Sequence, residues 1–191
     1  MRWVLRTVAS LRRDGLQVPI VFYVYYNVLH HYGLKKFVRD AANAGVDGAL
    51  ALDLPPEEAD AYEKLMKRAG LHPIYLVAPT TPAERIRKIA RHASGFIYYV
   101  SREGVTGMQK SMAPAVTTHV AAIRKCSKLP VAIGFGISNP SQARAAARGA
   151  DAVVVGSAIV NQIAKHGRDR QMASKVARFV GAMVRGAKRA R

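Results

Sequence analysis

Three apolar, β-rich runs in the second half of the chain each stop at glycine. Ile97-Tyr98-Tyr99-Val100 passes into Ser101-Arg102-Glu103-Gly104-Val105-Thr106-Gly107, Val131-Ala132-Ile133-Gly134 into Phe135-Gly136-Ile137-Ser138, and Ala152-Val153-Val154-Val155 into Gly156-Ser157. Continuous apolar runs are the mark of strands buried in a parallel sheet. Glycine at a strand's end lets backbone come close to a ligand. Three such ends on one face would form a cradle of backbone N–H groups for a phosphate.

The rest of the chain alternates in the same way. The pattern predicts strands over Pro19–Tyr25, Gly48–Asp53, His72–Ala78, Phe96–Val100, Val131–Gly134 and Ala152–Val155. Between and around them it predicts helices over Val4–Arg13, Leu34–Ala44, Pro56–Ala69, Pro82–His92, Pro114–Lys125, Pro140–Arg148, Ala158–Lys165 and Ala173–Arg185. Val4, Val8 and Leu11 read as the packed stripe of the first helix. Pro56, Pro82 and Pro140 open helices where a missing N–H costs nothing, with Ser138 or Asn139 as a cap for the last of these. Repeated βα units predict a parallel α/β fold. A doubly wound sheet would carry its glycine fingerprint after the first strand, which here ends in Tyr25-Tyr26-Asn27. Phosphate loops after late strands, with a short extra helix near Ser157, are the habit of the TIM (β/α)8 barrel. Six strands and 191 residues fall short of the eight strands and roughly 250 residues of that fold. The expectation is one domain over 1–191, a TIM barrel truncated at its N-terminal side to about six βα units.

Composition narrows the function. Half the residues are hydrophobic, so a real core is available. No uninterrupted apolar run approaches a membrane span, and the expected location is the cytoplasm. The single cysteine, Cys126, cannot form an internal disulfide and reads as a small hydrophobe near a helix end. The net charge of +18 raises the question of a nucleic-acid partner. The cations are scattered, however, over Arg85-Arg87-Lys88-Arg91, Arg144-Arg148 and the tail, without interleaved aromatic residues. Solvated helix faces are the favoured reading. His30 and His31 are adjacent and so lack metal-ligand spacing; His72, His92, His119 and His166 stand alone. No metal site is expected.

In order and spacing the runs resemble the tryptophan synthase alpha chain family, the indole-3-glycerol-phosphate lyase half of that enzyme. The most specific pieces are Tyr99 to Gly107, Gly134-Phe135-Gly136-Ile137-Ser138 and Val155-Gly156-Ser157-Ala158-Ile159-Val160. Tyr25-Tyr26-Asn27, Ala44-Gly45-Val46-Asp47-Gly48 and Asp53-Leu54-Pro55-Pro56-Glu57-Glu58 support them. Val24, Val28 and Leu52 depart from the family's usual residues.

The resemblance implies retro-aldol cleavage of indole-3-glycerol phosphate to indole and glyceraldehyde 3-phosphate. Such a reaction needs a phosphate grip, a flat apolar slot and a positioned acid/base. The resemblance places Gly107, Gly136, Gly156 and Ser157 at the phosphate, and Tyr25, Leu50, Val77, Tyr98 and Phe135 around the indole. It makes Arg102 and Thr106 part of a closing lid, and Asp53 a support beside it. The family's catalytic glutamate and its partner aspartate match no residue of this chain; their places fall upstream of Met1. No catalytic residue is therefore assigned. The resemblance implies no cofactor in this chain, the pyridoxal phosphate belonging to the beta subunit, which is the expected partner. Two readings stay open: a shortened lyase subunit, or a non-catalytic module that binds a phosphorylated small molecule or docks the beta subunit. Open sheet edges add the expectation of self-association.

Overall fold

The computed structural model describes residues 1–101, 114–134 and 136–190. They fall into two compact units, Met1–Leu76 with Arg87–Ile97, and Val77–Ile86 with Tyr98–Arg191.

The first unit begins with helix α1 (Arg2–Arg13). Its buried residues are Leu5 and Val8, while Val4 and Leu11 are 40% and 41% exposed. The expected stripe is thus rotated. The reason is Arg12, which shares the Leu5–Val8 face and is drawn inward. Its Nε donates to the Gly45 carbonyl at 2.9 Å, one terminal nitrogen to the Leu16 and Val18 carbonyls, and the other to Asp47 Oδ2 at 2.7 Å. Strand β1 (Val21–Val24) follows, then helices α2 (Tyr26–Tyr32) and α3 (Leu34–Ala44). Helix α2 was not expected, and it ends β1 before Tyr25. Strand β2 (Gly48–Ala51) is buried along its length. It pairs in parallel with β1, Val21 opposite Gly48 through Val24 opposite Ala51. On its other side it pairs in parallel with β3 (His72–Val77), Gly48 opposite His72 and Leu50 opposite Ile74. The helix expected over Pro56–Ala69 is two pieces: a 3-10 turn, Pro56–Glu58, and helix α4 (Asp60–Arg68). They break at Ala59, which is fully buried. Helix α5 (Ala83–His92) places Ile89 in this unit's core.

The second unit holds strands β4 (Ile97–Val100, beginning one residue earlier in the first unit), β5 (Val131–Gly134) and β6 (Ala152–Val154) in that order. Strands β5 and β6 are parallel, with Ala132 opposite Ala152 and Gly134 opposite Val154. Helix α6 (Pro114–Cys126) buries Val116, Val120 and Ile123, with half-buried Cys126 as its last residue. Helix α7 (Pro140–Ala147) is capped by Asn139, whose Oδ1 accepts the Gln142 N–H at 2.9 Å. Gln142 in turn accepts the Ser138 N–H at 2.8 Å and its hydroxyl at 3.0 Å, so both ends of the cap are closed. Helices α8 (Ser157–His166) and α9 (Met172–Lys188) complete the unit.

Candidate functional site

The register of β5 and β6 decides where the second unit's glycine ends lie. Gly134 and Val154 are partners, so Gly136 and Gly156 each stand two residues beyond a paired position at the same end of the sheet. Neighbouring strands run about 4.8 Å apart. Gly136 has φ of 65°, in the left-handed region, where a side chain would cost about 1–2 kcal/mol. Gly156 precedes α8 with no side-chain cap, and nothing lies within 4 Å of where its Cβ would be. The Ile159 and Val160 N–H groups bond the Gly156 carbonyl at 2.9 and 3.2 Å. The N–H groups of Ser157 and Ala158 come ahead of these, at the helix's positive end. Gly156 and Ser157 are exposed. An uncapped helix start beside a glycine turn is the geometry that holds an anion by its oxygens.

Tyr98 belongs to the same unit. Successive strand residues face opposite ways, and along β4 Ile97 and Tyr99 are buried while Tyr98 and Val100 are half-buried. A Cβ on Gly134 would lie 2.8 Å from the Tyr98 hydroxyl oxygen and 2.7 Å from Val154 Cβ. Only glycine at 134 leaves room for the tyrosine to reach over β5. Val77, at the end of β3, is 1% exposed. The turn after it is closed on itself: Ala78 N–H donates to Thr81 Oγ1, and Thr81 N–H to the Ala78 carbonyl, both at 3.0 Å. Gly107, Phe135, Arg102 and Thr106 lie outside the described residues.

In the first unit, Asp53 and Tyr25 follow β2 and β1, whose ends are aligned by Val24 opposite Ala51. Asp53 Oδ1 accepts the Tyr26 N–H at 2.6 Å. Tyr26 is the first residue of α2, whose N-cap, Tyr25, makes no side-chain bond of its own. Asp53 therefore caps α2 from the neighbouring strand's end, a carboxylate at a positive helix terminus. Tyr25 is 60% exposed and Leu50 is 2% exposed. A 520 Å3 groove lined by Arg2, Leu5, Tyr32, Asp40 and others contains none of these residues.

In the second unit, one residue set aside in the sequence as an isolated histidine has specific partners. His119 on α6 stacks on Tyr99, ring centroids 5.7 Å apart and planes 16° apart, and its Nε2 lies 3.0 Å from the Pro79 carbonyl oxygen. No local motif marks it, because Pro79 is 40 residues earlier. Among the described residues no group of three or more His, Cys, Asp or Glu could hold a metal ion, and no helix is long and apolar enough to cross a membrane.

Comparison with known proteins gives one answer. The family model of the tryptophan synthase alpha chain matches residues 1–188. The tryptophan synthase alpha chain of Opitutus terrae is 52% identical over 187 residues, covering 97% of this chain and 70% of the relative. That of Geotalea daltonii is 48% identical over 183 residues, covering 96% of this chain and 69% of the relative. The crystal structure of the alpha chain from Legionella pneumophila superposes with a TM-score of 0.84 at 35% identity, covering 97% of this chain and 68% of that one. A chain of the tryptophan synthase a2b2 complex of Pyrococcus furiosus gives a TM-score of 0.85 at 32% identity, covering 96% and 73%. The fold is therefore that of the (β/α)8 barrel, of which the described residues of this chain carry six βα units. By sequence and by structure, the chain belongs to the tryptophan synthase alpha chain family, whose members cleave indole-3-glycerol phosphate in tryptophan biosynthesis.

Proposed function

We propose that these 191 residues supply the phosphate grip and much of the indole slot of an indole-3-glycerol-phosphate lyase. The proton transfers would draw on carboxylates that are not among them. The observation that carries the reading is the shared register of Gly136 and Gly156, which sets two glycine turns and the uncapped start of α8 side by side. Backbone N–H groups there bind a dianion without a cation, and the positive helix end favours it. Tyr98, reaching over Gly134, furnishes apolar surface in the same unit; Val77, fully buried and on the face of β3 that carries Tyr75 toward Glu63 of α4, does not. Asp53 is engaged in capping α2, a supporting role that leaves it poorly placed to shuttle protons. The likeness to a chain of an a2b2 complex supports docking to a beta subunit.

Calorimetry with glycerol 3-phosphate tests the grip. Binding is expected for the chain as it stands, at least tenfold weaker for Gly156→Val and for Ser157→Glu. Equal affinity in both variants would place the phosphate elsewhere. An indole-release assay on the same chain separates the two readings of its chemistry. Binding without release is expected. Full turnover would mean that a carboxylate within these residues performs the proton transfers.

A further inference from the structure

Helix α9 carries two neighbouring stripes that the lyase reading does not use. Residues three or four apart share a helix face. Val180, Val184 and Ala187 make one stripe; Arg178, Gly181, Arg185 and Lys188 make the next. The first lines a 320 Å3 groove together with Val153 of the edge strand β6, Val155 just beyond it and Ile159 of α8. Lys188 is the one charged residue in that lining. The groove is preformed, because Gly186 leaves no room for a Cβ against the Pro140 carbonyl and α9 lies directly on α7. The second stripe is cationic. Arg185 folds back over Gly181, its Nη1 3.3 Å from where a Cβ would stand. Between Ser157 and Ala190 there are eight Lys and Arg and one acid, Asp169. Asp169 pairs with Lys175, and the other seven cations are in no ion pair among the described residues.

An occupant must answer both stripes. A flat bilayer surface does not enter a groove. Nucleic acid would meet the cations, but no aromatic residue lines the groove for a base to stack on. A second copy would offer its exposed apolar residues Trp3, Val4 and Leu11 on α1, a helix with four arginines and no acid, so like charge opposes it. We propose that this groove docks an acidic amphipathic helix of a partner protein, its apolar residues at i, i+3 or i+4 and i+7 set into the valine-lined groove and its carboxylates along Arg178, Arg185 and Lys188. The cationic stripe runs about 15 Å, which three turns of partner helix span. The surface is independent of the lyase reading, since none of Gly136, Gly156 and Ser157 lines it.

The probe is a fluorescein-labelled peptide with leucine at i, i+3, i+4 and i+7 and glutamate and alanine elsewhere. Its binding is followed by anisotropy at about 50 mM salt, where charge keeps copies of the chain apart. The parent chain is expected to bind it about tenfold tighter than a peptide of the same composition with scrambled leucines, and tighter still than one with lysine for glutamate. Val184→Glu puts a charge into the apolar stripe; Arg185→Gln with Lys188→Gln removes charge alone. Each is expected to weaken the peptide about tenfold, and only the loss in the double variant should shrink as salt rises. Val184 is 45% exposed and Arg185 and Lys188 are exposed, so melting temperatures should stay near the parent's. Duplex DNA and vesicles containing anionic lipid are titrated beside the peptide. Equal binding of patterned and scrambled peptides would overturn the proposal, leaving charge alone. So would DNA or vesicles that bind more tightly than the peptide and are indifferent to Val184→Glu, and so would a parent chain that binds no peptide. The peptide comparison needs no variant, so the proposal can fail even where a substituted chain unfolds.

Discussion

Arg12 shows how one side chain can fix a helix's rotation. Its guanidinium reaches four oxygens: the carbonyls of Gly45, Leu16 and Val18, and Asp47 Oδ2. Asp47 Oδ2 also accepts the Ile20 N–H at 2.7 Å, at the entry to β1. The fork therefore ties α1, the turn after it and the loop after α3 into one joint. Lysine offers a point charge and no planar fork. Arg12→Lys is expected to cost nearly as much stability as Arg12→Ala, about 1–3 kcal/mol, because several carbonyls lose their donor in both. Urea midpoints of the two variants check this; a lysine variant as stable as the parent would reduce the joint to simple charge pairing. Gly134 is the counterpart in the second unit. Its missing side chain was legible as a strand-end glycine, but not its cause, which is the Tyr98 hydroxyl above it.

Among the elements, α4, α5 and β3 meet on a buried carboxylate. Glu63 is 6% exposed. Its Oε1 accepts the Tyr75 hydroxyl at 2.6 Å and lies 2.8 Å from His92 Nδ1; its Oε2 accepts from Lys67 at 3.2 Å. Tyr62 donates to the Ala49 carbonyl at 2.8 Å, locking α4 onto β2. Burial, then the hydrogen bond and charge of Glu63, push the Tyr75 hydroxyl well above the ordinary tyrosine range; burial and the Glu63 charge do the same to Tyr62. A raised folded value means stability that is complete below the unfolded pKa, about 10, and is lost as pH climbs beyond it. Urea midpoints from pH 8 to 11 should fall from about pH 10 upward in the parent. Tyr75→Phe should be about 1–3 kcal/mol less stable at neutral pH, since Glu63 loses a donor, yet fall less steeply above pH 10. An unchanged alkaline slope would remove Tyr75 from the account. None of this was readable locally: in the expected helix Pro56–Ala69, Glu63 is an ordinary charged residue until Tyr75 and His92 arrive from elsewhere.

At the scale of the molecule, β1 and β6 each have one strand neighbour among the described residues. Apolar side chains stand open in both units: Val18, Tyr23 and Tyr25 in the first, Val160, Ile163 and Val184 in the second. Open edges and exposed apolar surface favour association, while a net charge of +18 opposes it by repulsion. Salt screens the second and leaves the first. The chain is therefore expected to grow in mass, by light scattering after size exclusion, between roughly 50 and 500 mM salt. A sharp monomer at both salt levels would show that the edges are covered within the chain itself.

Apolar runs, helix-opening prolines and glycine strand ends are local signals, and from them the sequence alone determined the alternating βα order and the position of the glycine turns. It also carried six of the helices to within a residue or two, and narrowed the cap of α7 to Ser138 or Asn139, of which Asn139 makes the bond. Helix α2 escaped because its cap, Asp53, comes from the end of another strand. The face of α1 escaped because two of the four oxygens that Arg12 finds, on Gly45 and Asp47, are 33 and 35 residues away. Pairing register, the reach of Tyr98 over Gly134 and the hold of His119 on Pro79 were settled only when distant segments packed. Hydrogen bonds and contacts between such segments depend on where the chain returns, and nothing in a local run of residues records that.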